Sequence, residues 1–268
     1  MQITDVTEEH LDLFCVCLED WNDETKEAGD RKRVWYETMK QRGLGAKLAL
    51  DDDGRVGGMI QYAPIEHSIV TGRDLYFIYC IWVHGHKQGR GNFQKRGMGT
   101  ALLDAAELDA RESGAKGMAA WGLALPFWMK ASWFRKHGYR KADRDGIALL
   151  MWRPFTHDAV PPQWPKQGPP PEAVPGKVTV TAFTHGWCTA QNLILERARR
   201  VSAEFGDRVE FREIDTLENR MDMLACRQTD AVFVDDKQIR QGPPPSYEKI
   251  RKVIAGGVKK LGKIRASN

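Results

Sequence analysis

Asp74–Thr100, DLYFIYCIWVHGHKQGRGNFQKRGMGT, decides how this chain reads. Its opening, Asp74–His84, is aromatic or β-branched almost throughout. A strand that is apolar on both alternating faces is covered on both, so this one is central to its sheet. A loop rich in Gly and basic residues follows, Gly85–Gly97. Met98–Ser113 then reads as a helix with Leu102, Leu103, Ala106 and Leu108 turned inward. At a helix start, several backbone N–H groups have no partner within the helix, and the peptide dipoles place positive potential there. Glycine lets the backbone adopt φ > 0 and come close to a ligand. Gln94, Lys95, Arg96, Gly97, Met98, Gly99 and Thr100 therefore form a candidate anion cradle. Lys87 and Arg90 add cationic charge to the same loop.

Working outward, Glu8–Trp21 reads as a helix capped by Thr7, with Leu11, Phe14, Cys15 and Leu18 on one stripe. Lys32–Arg42 is a second helix. Ala46–Leu50 and Val56–Pro64 make a hairpin turned at Asp51–Gly54. Beyond the quoted stretch, Gly117–Leu123 is a strand, Phe127–His137 a helix closed by Gly138, and Ile147–Trp152 a last strand.

Seven of the 13 prolines fall in His157–Gly176, HDAVPPQWPKQGPPPEAVPG, which neither a helix nor a central strand can cross. The expected organisation is a domain over 1–156, a stiff extended linker over 157–176 and a smaller domain over 177–268. In that last part Lys177–Phe183 alternates as a strand and runs into Thr184–Gln191 (THGWCTAQ) and a helix. Arg208–Ile214, Ala231–Val234 and Lys237–Arg240 are strands, Arg220–Cys226 a short helix, and Ser246–Ala255 a closing helix. Cys188 starts a helix, a position that lowers a thiol pKa and raises its reactivity.

Composition narrows the function classes. With 42% hydrophobic and 28% charged residues the chain is globular, and a net charge of +4 is too slight to argue for nucleic acid. No run approaches the roughly 20 apolar residues that cross a bilayer, and Met1–Glu9 is polar and acidic, unlike a signal peptide. Cys15, Cys17, Cys80, Cys188 and Cys226 have neither disulfide-framework nor zinc-ligand spacing, which points to a reducing cytoplasm and to no metal.

The order strand–QxxGxG–helix, carried by Gln94, Gly97 and Gly99, resembles the acetyl-CoA pyrophosphate loop of the GNAT N-acetyltransferase superfamily. FWMKASWFRKHGY (127–139) is similar to that family's penultimate helix, and LYFIYCIWV (75–83) to its central bulged strand. The resemblance implies an α/β fold, a mixed central sheet flanked by helices. It also implies transfer of acetyl from acetyl-CoA to the amine of a small molecule or peptide by direct attack. A backbone N–H near Trp82 or Val83 would meet the thioester oxygen, and Val83 would also border the cofactor. Glu66, His67 and His84 are candidate bases. Phe134 stands beside the cofactor where the family often has a Tyr that protonates the departing thiolate; His84, His86 and Tyr79 are candidate substitutes. Trp35, Tyr36, Trp121, Trp128 and Trp133 either line a pocket or fill the core. The order βαβαββα, with Trp187-Cys188 at its first strand–helix corner, resembles a thioredoxin-like domain of the YoaP type. Two other readings stay open: a non-catalytic acyl-CoA sensor or adaptor whose second domain binds proteins, and a thiol-redox protein using Cys188. Oligomeric state is also open, with a homodimer among the options.

Overall fold

The computed structural model describes residues 1–125, 128–165, 170–219, 230–239 and 243–267. The chain groups into two units: Met1–Asn22 with Tyr36–Pro165, and Asp23–Trp35 with the described residues after Pro165. Unit 1 holds seven strands: β1 (Gln2–Asp5), β2 (Gly45–Leu50), β3 (Val56–Pro64), β4 (Leu75–Val83), β5 (Gly117–Leu123), β6 (Arg140–Asp145) and β7 (Ala148–Pro154). The helices in the first part of the chain are α1 (Glu8–Cys15), α2 (Arg31–Lys40), α3 (Met98–Glu112) and α4 (Ala131–Lys136). Sheet order is β1-β2-β3-β4-β5-β7-β6, and every neighbouring pair is antiparallel except β4–β5. The sheet is therefore mixed, and the aromatic run at β4 lies in its middle. Its residues Phe77, Ile78 and Tyr79 are fully buried.

Several elements differ from the expectation for physical reasons. The strands β1 and β6 (RKADRD) lie on the sheet edges, where charged residues keep the unpaired side in water and erase the apolar alternation that announces a strand. Helix α1 stops at Cys15 because Cys17 and Leu18 turn left-handed (φ 54° and 65°), although Leu18 stays buried. On α3, Leu108 is exposed and the buried place falls to Glu107, which Arg153 neutralises at 2.9 Å.

The first part of the Pro-rich segment is fixed to unit 1 and not loose. Thr71 and Gln163 exchange both backbone hydrogen bonds at 2.9 Å, and Trp164 N–H donates to Asp143 at 2.9 Å.

Unit 2 contains β8 (Val178–Thr184), α5 (Thr189–Glu204), β9 (Val209–Asp215), β10 (Ala231–Val234), β11 (Lys237–Gln238) and α6 (Tyr247–Ser267). Sheet order is β11-β10-β8-β9, with β8–β9 parallel and both pairs made by β10 antiparallel. The expected helix Arg220–Cys226 and strand end Arg240 lie outside the described residues. Helix α6 runs straight through Gly256-Gly257, a pair that reads as a helix stop. A Cβ on Gly257 would sit 3.0 Å from Val178, so glycine there lets α6 lie close on β8.

One segment of the first half groups with unit 2. Residues 23–28 form a 3-10 helix whose Glu24 and Glu27 bind Arg197 of α5 at 3.1 and 3.0 Å, and Arg31 binds Glu196 at 2.7 Å. The Arg197 side chain is 5% exposed and also donates to the Pro245 carbonyl. Arg197 in turn holds the Glu27 carboxyl below its ordinary pKa. A buried guanidinium needs such partners. The two-domain expectation placed these acids in the first domain because sequence order cannot show that their partners lie about 170 residues later.

The close approach of the loop and α3 to β3 rests on Gly57, where an added Cβ would meet the Phe93 ring at 2.4 Å and Met98 Sδ at 2.9 Å. Gly57→Ala should cost about 1–3 kcal/mol of stability through overpacking; urea unfolding of the whole chain measures it.

Candidate active site

Strands β4 and β5 pair only from Leu75–Gly117 to Ile78–Ala120. Beyond that point β5 stays bonded to β7, β4 stays bonded to β3, and the two strands part. A register shift accompanies the parting: Gln61 pairs with Cys80 but Tyr62 with Ile78, so Tyr79 is an extra residue on β4. The Trp121 indole N–H bridges the crotch of the fork, donating to the Tyr79 carbonyl at 2.8 Å.

Backbone direction inside the fork follows from one bond. His84 N–H donates to the Gly57 carbonyl at 2.9 Å, so His84 faces β3. In an antiparallel pair this direction alternates. The N–H of Trp82 therefore also faces β3, while those of Ile81 and Val83 face into the fork. Of the two donors expected from sequence, Trp82 points the wrong way. Ile81 went unnoticed because only the register reveals the alternation.

The glycine loop opens at the mouth of this fork. Gln94, Lys95, Arg96 and Gly97 are exposed. Gly97 caps α3 in a left-handed conformation (φ 84°), no side chain caps the helix, and a Cβ added at Gly97 would meet nothing within 4 Å. Lys95 is also left-handed (φ 63°). The first turn of a 15-residue helix thus has no side-chain cap, and the space beside Gly97 is open. Met98 contributes main chain only, its side chain being buried.

Helix α4 supplies the third wall. The Cβ position of Gly99 lies 3.4 Å from Trp133 and 3.7 Å from Val83, which brings loop, strand and α4 together. His137 stacks on Trp133 at 4.1 Å, with Nδ1 2.9 Å from the Trp133 carbonyl and Nε2 3.0 Å from Thr100 Oγ1. The sequence marks His137 only as a helix end.

Residues 7–128 match the sequence model described as Acetyltransferase (GNAT) family. This stretch is a GNAT acetyltransferase domain. No curated protein matches the chain. Similar solved structures include three acetyltransferases. A GNAT family acetyltransferase from Brucella melitensis in complex with acetyl-CoA has 15% identity and a TM-score of 0.40, covering 59% of this chain and 90% of that one. The PaiA N-acetyltransferase from Thermoplasma acidophilum in complex with coenzyme A has 15% identity and a TM-score of 0.42, covering 57% and 98%. The ribosomal-protein-alanine N-acetyltransferase from Brucella melitensis has 18% identity and a TM-score of 0.43, covering 58% and 100%.

Within the GNAT domain, several expected site residues are engaged elsewhere. Glu66 accepts from Asp74 N–H at 3.3 Å, at the start of β4, roughly 20 Å along the strand from Ile81. The buried Tyr79 donates its hydroxyl to the His67 carbonyl, which removes it as a proton source. Phe134 is 0% exposed and packs on Tyr139 at 5.4 Å, so it belongs to the core and not to the cofactor surface. Burial also holds the Tyr139 hydroxyl well above its ordinary pKa. Arg90 donates to the Val56 carbonyl at 2.9 Å and to Asp20 at 3.0 Å; it braces the loop's far side and leaves Lys95 and Arg96 at the mouth. His84 is buried behind β4. Among the described residues no group of three or more His, Cys, Asp or Glu is placed to hold a metal, and no helix is long and apolar enough to cross a membrane.

In unit 2, Cys188 caps α5 and is 8% exposed; Cys226 lies outside the described residues. Beside it, Asp230 accepts from His185 N–H at 2.9 Å. Burial, outweighing the His185 and Gly186 amides, raises the Asp230 carboxyl to about 6.

Two predictions follow from these contacts. His137→Ala removes the bond to Thr100 and should speed amide exchange at 98–101 about fivefold, for a net hydrogen bond of about 1 kcal/mol. Asp230 has a folded pKa above its ordinary 3.8, so its contribution to stability is full below pH 4 and is lost as pH rises through about 6. Asp230→Asn should therefore stabilise unit 2 at pH 7–8, by about 3 kcal/mol at most, and bring no gain at pH 3.5; exchange of β8 and α5 amides in the whole chain reads the difference.

Proposed function

We propose that the GNAT domain transfers an acetyl group from acetyl-CoA to the amine of a small molecule or peptide. The observation that carries this reading is the open, uncapped start of α3 at the mouth of the β4–β5 fork. The pyrophosphate would lie against the N–H groups of Gly97–Thr100, with Lys95 and Arg96 supplying charge. The pantetheine arm would enter the fork, where Ile81 and Val83 offer N–H donors. One of them receives the thioester oxygen as it gains negative charge on attack. Nitrogen bonds to the carbonyl carbon, the C–S bond breaks with its electron pair going to sulfur, and a proton shed by the nitrogen neutralises the thiolate. No tyrosine is needed at Phe134, because a thiolate is a good leaving group.

We infer that unit 2 is a thioredoxin-like domain. The sheet order β11-β10-β8-β9, with one parallel pair and α5 following β8, supports the reading. The chain's cysteine spacing favours the cytoplasm.

Gly97→Val tests the enzyme reading. A β-branched residue resists φ 84° and pushes its methyls into the space open to phosphate. Calorimetry should show acetyl-CoA affinity reduced about tenfold or more, with the far-UV circular dichroism unchanged. Equal affinities would sink the cradle. Tight binding without CoA thiol release across a broad amine panel would favour the sensor reading.

A further inference from the structure

The face of β4 turned away from α3 carries a second group of residues, and it bears on the acceptor. Ile81 and Val83 pack into the α3 core, so alternation sends Trp82 and His84 to the opposite face, toward the segment following α1. His84 is 0% exposed. Its Nδ1 lies 2.6 Å from the Gly91 carbonyl, which can only accept, so Nδ1 carries the proton of the neutral ring and Nε2 presents a lone pair. That buried Nε2 has no hydrogen-bond partner. It faces the Glu19 carboxylate at 3.9 Å, and Glu19 is 20% exposed. An unmet buried acceptor is costly, and its survival beside a carboxylate that reaches solvent asks for a role.

A chain of aromatic rings continues from His84. The His86 ring lies 5.4 Å from His84, 6.1 Å from Trp82 and 6.5 Å from Trp21, and Trp21 is 41% exposed. The neighbouring cleft, lined by Asp20, Trp21, Arg55, Gly89 and Arg90, holds its cations in pairs: Arg90 with Asp20 at 3.0 Å and Arg55 with Asp51 at 2.7 Å. Indole faces beside a carboxylate suit an organic cation.

Building on the acyl-donor reading, we propose that this pocket takes the acceptor as a primary ammonium ion: Glu19 holds the ammonium beside the exposed Trp21 indole, and His84 behind Glu19 receives its proton. The ammonium gives one proton through the Glu19 carboxylate to His84 Nε2, leaving a neutral amine and an imidazolium paired with Glu19. The amine then attacks the thioester carbon, the C–S bond breaks, and the second nitrogen proton goes to the thiolate. His84 returns its proton to water through Glu19. Net, an ammonium and acetyl-CoA give an amide, CoA thiol and one proton. Glu19 is the catalytic residue here, and His84 acts through it. The Glu19 carboxylate faces His84 from the segment after α1, and the His86 ring lies beside it.

The test uses the whole chain with acetyl-CoA and phenethylamine, with 2-phenylethanol as uncharged isostere. Wild type should bind phenethylammonium, detected by quenching of tryptophan fluorescence, and ignore the alcohol. Glu19→Gln should lower kcat/KM about 100-fold and flatten its rise with pH, while acetyl-CoA affinity by calorimetry stays at the wild-type value. Glu19 is partly exposed, so Glu19→Gln is expected to keep the fold. Equal binding of amine and alcohol, or an unchanged pH profile in Glu19→Gln, overturns the proposal. So does a protein that binds acetyl-CoA yet neither binds nor acetylates phenethylamine; that outcome leaves the donor site standing. Failure to bind acetyl-CoA removes both readings.

Discussion

Everything in unit 1 turns on a competition for the edges of two strands. A paired strand has two edges, and each backbone group on them must find a partner. From Ile78 and Ala120 onward, β4 keeps β3 and β5 keeps β7, and neither keeps the other. The donors left over, at Ile81 and Val83, cannot be buried in apolar surroundings without cost. They need water or a ligand that imitates a strand. The extra residue at Tyr79 and the Trp121 indole across the crotch hold the strands apart, so the opening is built into the sheet and does not wait for a ligand to pry it.

The sequence made the centre of this arrangement visible and its margins obscure. Leu75–Val83 declares itself by being apolar on both faces, and Gln94–Gly99 by glycine spacing next to a helix. These signals are local. Strands β1 and β6 carry no such signal because edge strands are kept polar. The direction of a single amide inside the fork depends on register, which one chain read alone does not contain. Chemical type also misled: Glu66 and Tyr79 have the right groups for proton transfer, yet one is tied to Asp74 and the other to the His67 carbonyl. Nothing nearby in the chain marks His137 or Glu19. Their significance comes from Thr100 and His84, which lie far away in sequence.

Glycine illustrates how one residue type carries several meanings. At Gly97 it permits a left-handed cap; at Gly57 it clears space for Phe93; at Gly257 it lets a helix lie on Val178 without ending it. A pattern search weighs these alike. Only the neighbours separate a turn from a close approach.

The grouping of Asp23–Trp35 with the last hundred residues has a consequence for how this protein is made. Those acids leave the ribosome early, while Arg197 and Glu196 follow far behind them. Until α5 emerges, Glu24 and Glu27 lack the Arg197 guanidinium that binds them in the folded protein. The downstream unit is therefore completed by a segment made long before the rest of it. A recombination event at the prolines, which looks harmless on paper, would hand the downstream half to a new host without the thirteen residues it borrows from upstream.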